Sequence, residues 1–183
     1  MPPTAASLLR ALSAYSPDGV PEKRSLRIFR DFVGRSPAAF SRSNAEGHVT
    51  ASAVLARRSA PEFLLVRHRK LGLWLQPGGH IEPGDESVFA AALREAREET
   101  GIEEFGFPIG ERILDVDVHP IPAFGDDPPH FHYDVRHLFT VETEPEKLLE
   151  GTSWFSLAGA RDAGVDESLA RALRKAASLM IED

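Results

Sequence analysis

Glu95, Glu98 and Glu99 put three carboxylates close together on what the spacing predicts to be a single helix. From Glu86 to Thr100 the apolar residues Val88, Phe89, Ala92, Leu93 and Ala96 recur at helical intervals, and Gly101 supplies a stop. At roughly 100° per residue the three glutamates fall within about one-third of the circumference, beside the apolar stripe. Like charges three and four apart repel by about 0.2–0.5 kcal/mol per pair. The same residues stand in the last turns, where the helix dipole also disfavours anions. Stability alone does not select this arrangement, whereas a divalent cation reverses both penalties. Donors made only of oxygen suit a hard ion, Mg²⁺ or Mn²⁺, and such a site supports phosphoryl or nucleotidyl transfer to water.

The segment ahead of the helix supplies a second half to this chemistry. Gly78, Gly79 and Gly84 allow close backbone approach, and Pro77 and Pro83 stiffen the turns. A loop of this kind can offer a carbonyl to a metal and bring a phosphate against the helix. Together, Gly79, Glu86, Arg94-Glu95, Glu98-Glu99, Gly101 and Ile102 resemble the signature of Nudix hydrolases: Gly, five residues, Glu, seven residues, Arg-Glu, an apolar residue, any residue, Glu-Glu, any residue, Gly, apolar. One interval departs from it. Six residues separate Gly79 from Glu86, while the seven between Glu86 and Arg94 are kept. An extra residue in the Glu82–Asp85 turn is the simplest account, because it leaves the helix register untouched.

The resemblance implies hydrolysis of a diphosphate linked to another group, usually a nucleoside diphosphate derivative. It makes Glu95, Glu98 and Glu99 the metal-binding glutamates and Gly79 the donor of a backbone carbonyl. It gives Glu86 the place of the first glutamate, in contact with metal through water, and Arg94 the role of orienting a neighbouring carboxylate. The general base stays open. Glu98 is the first choice, as the acid farthest round the helix from the apolar stripe. Glu146 and Glu150, ahead of Trp154, are loop candidates that read as readily as plain surface acids.

Two further constellations bear on substrate choice. His130, His132, Asp134 and Arg136 alternate along one strand, and Asp115, Asp117 and His119 along the preceding one. Paired as a hairpin, they form a polar ladder with three readings. It is the solvated face of a sheet; or a substrate surface with Arg136 on a phosphate and Asp134 and the histidines nearby; or a metal site of Asp117, His119, His130 and His132. Arg67, His68, Arg69 and Lys70 form a basic run that is either a solvated strand end or a capture site for phosphates. Trp74 reads as core more readily than as a stacking platform, and His80 follows the glycine pair either at the site or on a loop surface.

Composition narrows the classes. The 183 residues carry a formal net charge of −7 at pH 7, which opposes non-specific DNA binding through a basic face. With no cysteine, a disulfide framework or thiol nucleophile is ruled out, and the cysteine-dependent isomerases that share this fold are disfavoured. No stretch approaches a membrane span, and residues 1–15 lack the marks of a signal peptide, so a cytoplasmic location is the default.

Around the helix, the pattern predicts helices lined by Leu8, Leu9 and Leu12, and by Leu26, Phe29, Phe32 and Val33. Strands follow at 49–56, 63–66, 109–118, 131–141 and 153–157, and Asp166 caps a last amphipathic helix. Residues 1–45 read as an N-terminal helical extension for packing or for a homodimer, and 46–183 as the hydrolase domain. The fold expected is an α/β/α sandwich with a mixed central sheet. The expected activity is Mg²⁺-dependent cleavage of a nucleotide sugar, ADP-ribose, a nucleoside triphosphate or a dinucleoside polyphosphate. RNA cap or 5′-end hydrolysis and non-catalytic nucleotide sensing are the alternatives.

Overall fold

The structure, a computed structural model, describes every residue except Met1, 69–71, 126–127, 142, 144, 146–147 and 182–183. Two helices open the chain, α1 (Ala5–Ala14) and α2 (Gly19–Arg35). They are followed by β1 (Gly47–Arg57), β2 (Glu62–Arg67), β3 (Trp74–Leu75), β4 (Gly78–His80), α3 (Val88–Thr100) and β5 (Phe105–Gly106). The chain closes with β6 (Ile113–Ile121), β7 (His130–Val141), β8 (Thr152–Ser156), α4 (Leu157–Asp162) and α5 (Glu167–Ile181).

All eight strands join one mixed sheet in which β1 lies parallel to β7 and antiparallel to β2 and β4. β1 is buried on both faces, as a central strand must be when helices cover both sides. Its residues Val49, Ala51, Ala53 and Leu55 belong to one apolar cluster with α1, α2 and α3. Val54 and Ala56 belong to a second cluster with Leu169, Ala172, Leu173 and Ala176 of α5. The alternation along one strand thus produces the two interlayer cores of the sandwich.

The N-terminal helices share this core. Leu8, Leu12, Phe29 and Phe32 are buried in the same cluster as β1 and α3. They also close the open edge of β6: Glu22 accepts the Val116 amide at 3.2 Å, and the Tyr15 hydroxyl donates to the Leu114 carbonyl at 3.0 Å.

Two boundaries differ from the sequence expectation. The strand expected from Ile109 begins at Ile113, because a turn carrying Pro108 and Gly110 intervenes, with the Gly110 amide on the Phe107 carbonyl. The helix expected from Glu86 begins at Val88, where Ser87 caps it by accepting the Ala90 amide at 3.0 Å. At the other end Gly101 takes the left-handed conformation at φ 72°, which terminates α3 as its composition predicts. No helix among the described residues is long and apolar enough to cross a membrane.

Candidate active site

Val88, Ala91, Ala92 and Ala96 fix one face of α3 against the core, which turns Arg94, Glu95, Glu98 and Glu99 away from it. Arg94 is the hub. Its Nε and Nη2 donate to the two oxygens of Asp85, both at 3.1 Å, and Nη2 also donates to the His80 carbonyl at 2.9 Å. Nη1 donates to Glu95 at 2.9 Å and to Glu98 at 3.2 Å. One planar guanidinium therefore ties the glycine loop, the turn after it and two of the three helix glutamates together, a task for which lysine lacks the donors.

Arg94 meets a different carboxylate from the one at the seven-residue interval. The carboxylate that meets Arg94 is Asp85, which is buried, while Glu86 is exposed ahead of the helix. Five residues separate Gly79 from Asp85, so the family interval is intact up to that point. The Glu82–Asp85 turn is closed normally, with the Asp85 amide on the Glu82 carbonyl at 3.0 Å and the Glu82 amide on the Asp85 carboxylate at 2.7 Å. The extra residue lies between Asp85 and α3, where an irregular entry to the helix absorbs it. Asp85 was missed because an aspartate was read as part of the turn.

The loop is shaped to let Glu95 approach. A Cβ on Gly79 would stand 2.5 Å from Oε1 of Glu95, so any side chain there displaces the carboxylate. Glu99 accepts the Gly78 amide at 3.1 Å. Desolvation raises the Glu95 carboxyl pKa, opposed by Arg94 and aided by Glu98 and Glu82. Desolvation likewise raises that of Glu99, with Glu95 and Glu98 adding to it and the Gly78 amide opposing. Carboxylates held reluctant to ionise by burial and by one another, with only oxygen donors, fit a hard divalent cation.

A cavity of about 1140 Å³ opens beside this cluster and is lined by Glu98, Glu99, His48, His80, His130 and His132, together with Glu150. Arg67 and His68 also line it, whereas Arg69 and Glu146 lie outside the described residues. Trp74 packs edge-on against Phe155, with ring centroids 4.9 Å apart, in the second apolar cluster. Burial pushes the His132 imidazole down to about 3, with His48, His119, His80 and His130 adding to the effect.

The polar ladder forms, with Asp117 opposite Asp134 and His119 opposite His132. Its role differs from two of the readings. Asp115, Asp117, Asp134 and Arg136 are buried, so this stretch is no solvated face. Nor is Arg136 available to a phosphate: it is 2% exposed and meets Asp115 at 3.1 Å, Asp134 at 3.3 Å and Asp117 at 3.7 Å. Asp134 is likewise committed, accepting the hydroxyls of Thr50 and Ser52 at 2.9 Å each. α5 closes the network from above, where Arg171 reaches both oxygens of Asp115 at 2.8 Å. Lys175 completes it with contacts to Glu22 at 2.9 Å and Asp115 at 3.5 Å. Burial opposes the Asp117 anion, yet the His119 hydrogen bond and the Arg136 charge bring its pKa down to about 2. Strand alternation showed that these residues share a face, but helix cover over that face is a tertiary fact.

The site is thus a cleft in a two-sided sandwich, to which a glycine loop and the following helix present arginine-ordered carboxylates. The chain belongs to the NUDIX family: the model described as "NUDIX domain" matches residues 47–176. Among curated relatives, a putative 8-oxo-dGTP diphosphatase of Bacillus subtilis is 44% identical over 100 residues, covering 54% of this chain and 57% of the relative. A bovine m7GpppN-mRNA hydrolase is 32% identical over 108 residues, covering 54% of this chain and 34% of the relative. The chain thus spans about a third to just over half the length of these relatives. A C. elegans Ap4A hydrolase binary complex superposes with a TM-score of 0.54 at 20% identity, covering 74% of this chain and 98% of the other, a likeness of fold.

Proposed function

We propose that this chain hydrolyses a diphosphate bond in a nucleoside diphosphate linked to another moiety: a nucleotide sugar, ADP-ribose, a nucleoside triphosphate or a dinucleoside polyphosphate. The observation that carries this reading is Arg94 gathering Glu95 and Glu98 against the Gly79 loop, with Glu98 and Glu99 lining a cleft of substrate size. Glu95, Glu98, Glu99 and the Gly79 carbonyl would hold Mg²⁺, or Mn²⁺ in its place. Such an ion, when bound, neutralises phosphate oxygens and lowers the pKa of water.

The chain's own groups supply the rest. Arg94 fixes the relative positions of Glu95 and Glu98, so little reorganisation is needed on binding. Glu98 is our first assignment as general base, since its side chain is 57% exposed and is held to Arg94 by a single 3.2 Å contact. Glu150, on the same cleft, is the loop alternative. His80 and His132 line the cleft wall, in reach of the part of the substrate beyond the phosphates.

The bovine relative's name favours a second reading, cleavage of capped RNA. The net charge of −7 weighs toward small nucleotides. The test is a hydrolysis screen of the purified protein against the four nucleotide classes and a capped oligonucleotide, with Mg²⁺, with Mn²⁺ and with chelator. Metal-dependent turnover of a small nucleotide is expected. Turnover confined to capped RNA would favour the second reading, and binding without turnover would favour a nucleotide sensor.

A further inference from the structure

We propose that the cleft carries a second metal site, formed by the imidazoles of His48, His130 and His132 and suited to a borderline transition ion of the Zn²⁺ class. It is separate from the carboxylate set on α3. One ring nitrogen from each of these three residues lies within 4.8 Å of the other two. The sheet itself makes the convergence. His48 of β1 is in register with His132 of β7, and His130 sits two residues along on the same face. Their ring centroids are 4.9, 5.1 and 5.2 Å apart.

The surroundings have the form of a ligand shell. Nδ1 of His130 is 2.9 Å from the Pro128 carbonyl, and donation there leaves Nε2 with its lone pair. His119, whose ring lies 5.6 Å from that of His132, is held through Nδ1 by the Asp117 carboxylate at 3.0 Å. That is the carboxylate–imidazole pairing that orients metal-binding histidines. His80 packs 4.8 Å from His48 on the remaining side. Five of the seven histidines are thus gathered at one end of one sheet face.

Donor chemistry selects the ion. Three imidazoles suit Zn²⁺ and its neighbours and leave an exchangeable fourth position, whereas Mg²⁺ takes oxygen. Bonds of about 2.0–2.1 Å require nitrogens roughly 3.3 Å apart, so the rings must close by about 1.5 Å. Side-chain rotation of His130 and His132, both only partly buried, can supply this, and the open cleft gives the ion its path of entry.

The test uses the full chain, stripped with chelator and titrated with Co²⁺ as a visible probe, then with Zn²⁺ in competition. With Mg²⁺ in excess to hold the α3 carboxylates, one Co²⁺ per chain is expected in the imidazole site, with an absorption envelope of imidazole-bound cobalt that Zn²⁺ bleaches, and a rise in Tm on adding Zn²⁺. His130→Ala, at a partly exposed position, should weaken Zn²⁺ binding by about 100-fold or more and abolish the spectrum. His130→Gln serves as the second variant should the first fail to fold. Glu98→Gln should leave the cobalt spectrum unchanged whatever it does to hydrolysis, which separates this site from the proposed activity. Full-affinity binding in both His130 variants, loss of the spectrum in Glu98→Gln, or no saturable cobalt absorption in the parent protein would each overturn the proposal.

Discussion

Asp85 and Arg94 form a two-point ion pair across the junction between the glycine loop and α3, with both oxygens of the carboxylate engaged at 3.1 Å. The pair anchors the arginine whose remaining nitrogen holds Glu95 and Glu98, so the order of the carboxylate cluster depends on a residue nine positions upstream.

Asp85→Ala should therefore lower turnover by about 10- to 100-fold, as loss of an outer partner of metal ligands does. It should also cost about 1–3 kcal/mol of stability, because a half-buried guanidinium loses its main acceptor. Glu86→Gln should stay within about 0.5 kcal/mol of the parent and keep its activity, since the residue is exposed. Steady-state kinetics and urea melts of the two variants check this. The reverse ranking would restore Glu86 to the role given by the seven-residue interval.

Glu98→Gln should lower kcat by about 100-fold or more, the scale for removing a metal ligand or general base. Its urea midpoint should hardly move, given the exposure of the side chain. Turnover like that of the parent would remove Glu98 from the chemistry and shift attention to Glu150.

Arg136→Met should destabilise the protein by about 3–5 kcal/mol, because it leaves Asp115, Asp117 and Asp134 buried without their shared cation. Arg136→Lys should rescue little, since one ammonium cannot span three carboxylates. Chemical denaturation measures the loss. A raised KM at unchanged stability would instead return Arg136 to the substrate.

His137 carries a pH dependence of definite sign. It is 3% exposed, and burial pushes its pKa down to about 4, partly offset by its contact with the Arg112 carbonyl. The unfolded chain binds this proton from about pH 6.5 downward, the folded chain only near pH 4. Stability contributed by neutral His137 is therefore present above about pH 6.5 and is lost progressively as pH falls toward 4, on the order of 3 kcal/mol in all. His137→Gln keeps a donor for the carbonyl but no titrating group, so its unfolding free energy should fall less steeply over that window. Parallel curves for parent and variant would contradict the assignment.

What the sequence determined by itself rests on short-range regularities. Helical spacing placed Glu95, Glu98 and Glu99 on one side of α3, and Gly101 ended it, because backbone geometry relates residues a few positions apart. Period-two alternation set His130, His132, Asp134 and Arg136 on one face, and the pairing of β7 with β6 builds the ladder. The family interval reached the glycine loop and Arg94 for the same local reason. Tertiary structure alone decided which of these groups stay available. Ser168 of α5 engages Arg136, and the Thr50 and Ser52 hydroxyls engage Asp134, which makes both structural, whereas the other end of the same strand leaves His130 and His132 on the cleft. It also chose Asp85 over its neighbour Glu86, because an ion pair depends on where a turn delivers a carboxylate and not on its count along the chain. His48 joined the other histidines only through the parallel pairing of β1 with β7, a contact between residues 84 positions apart that no local pattern encodes.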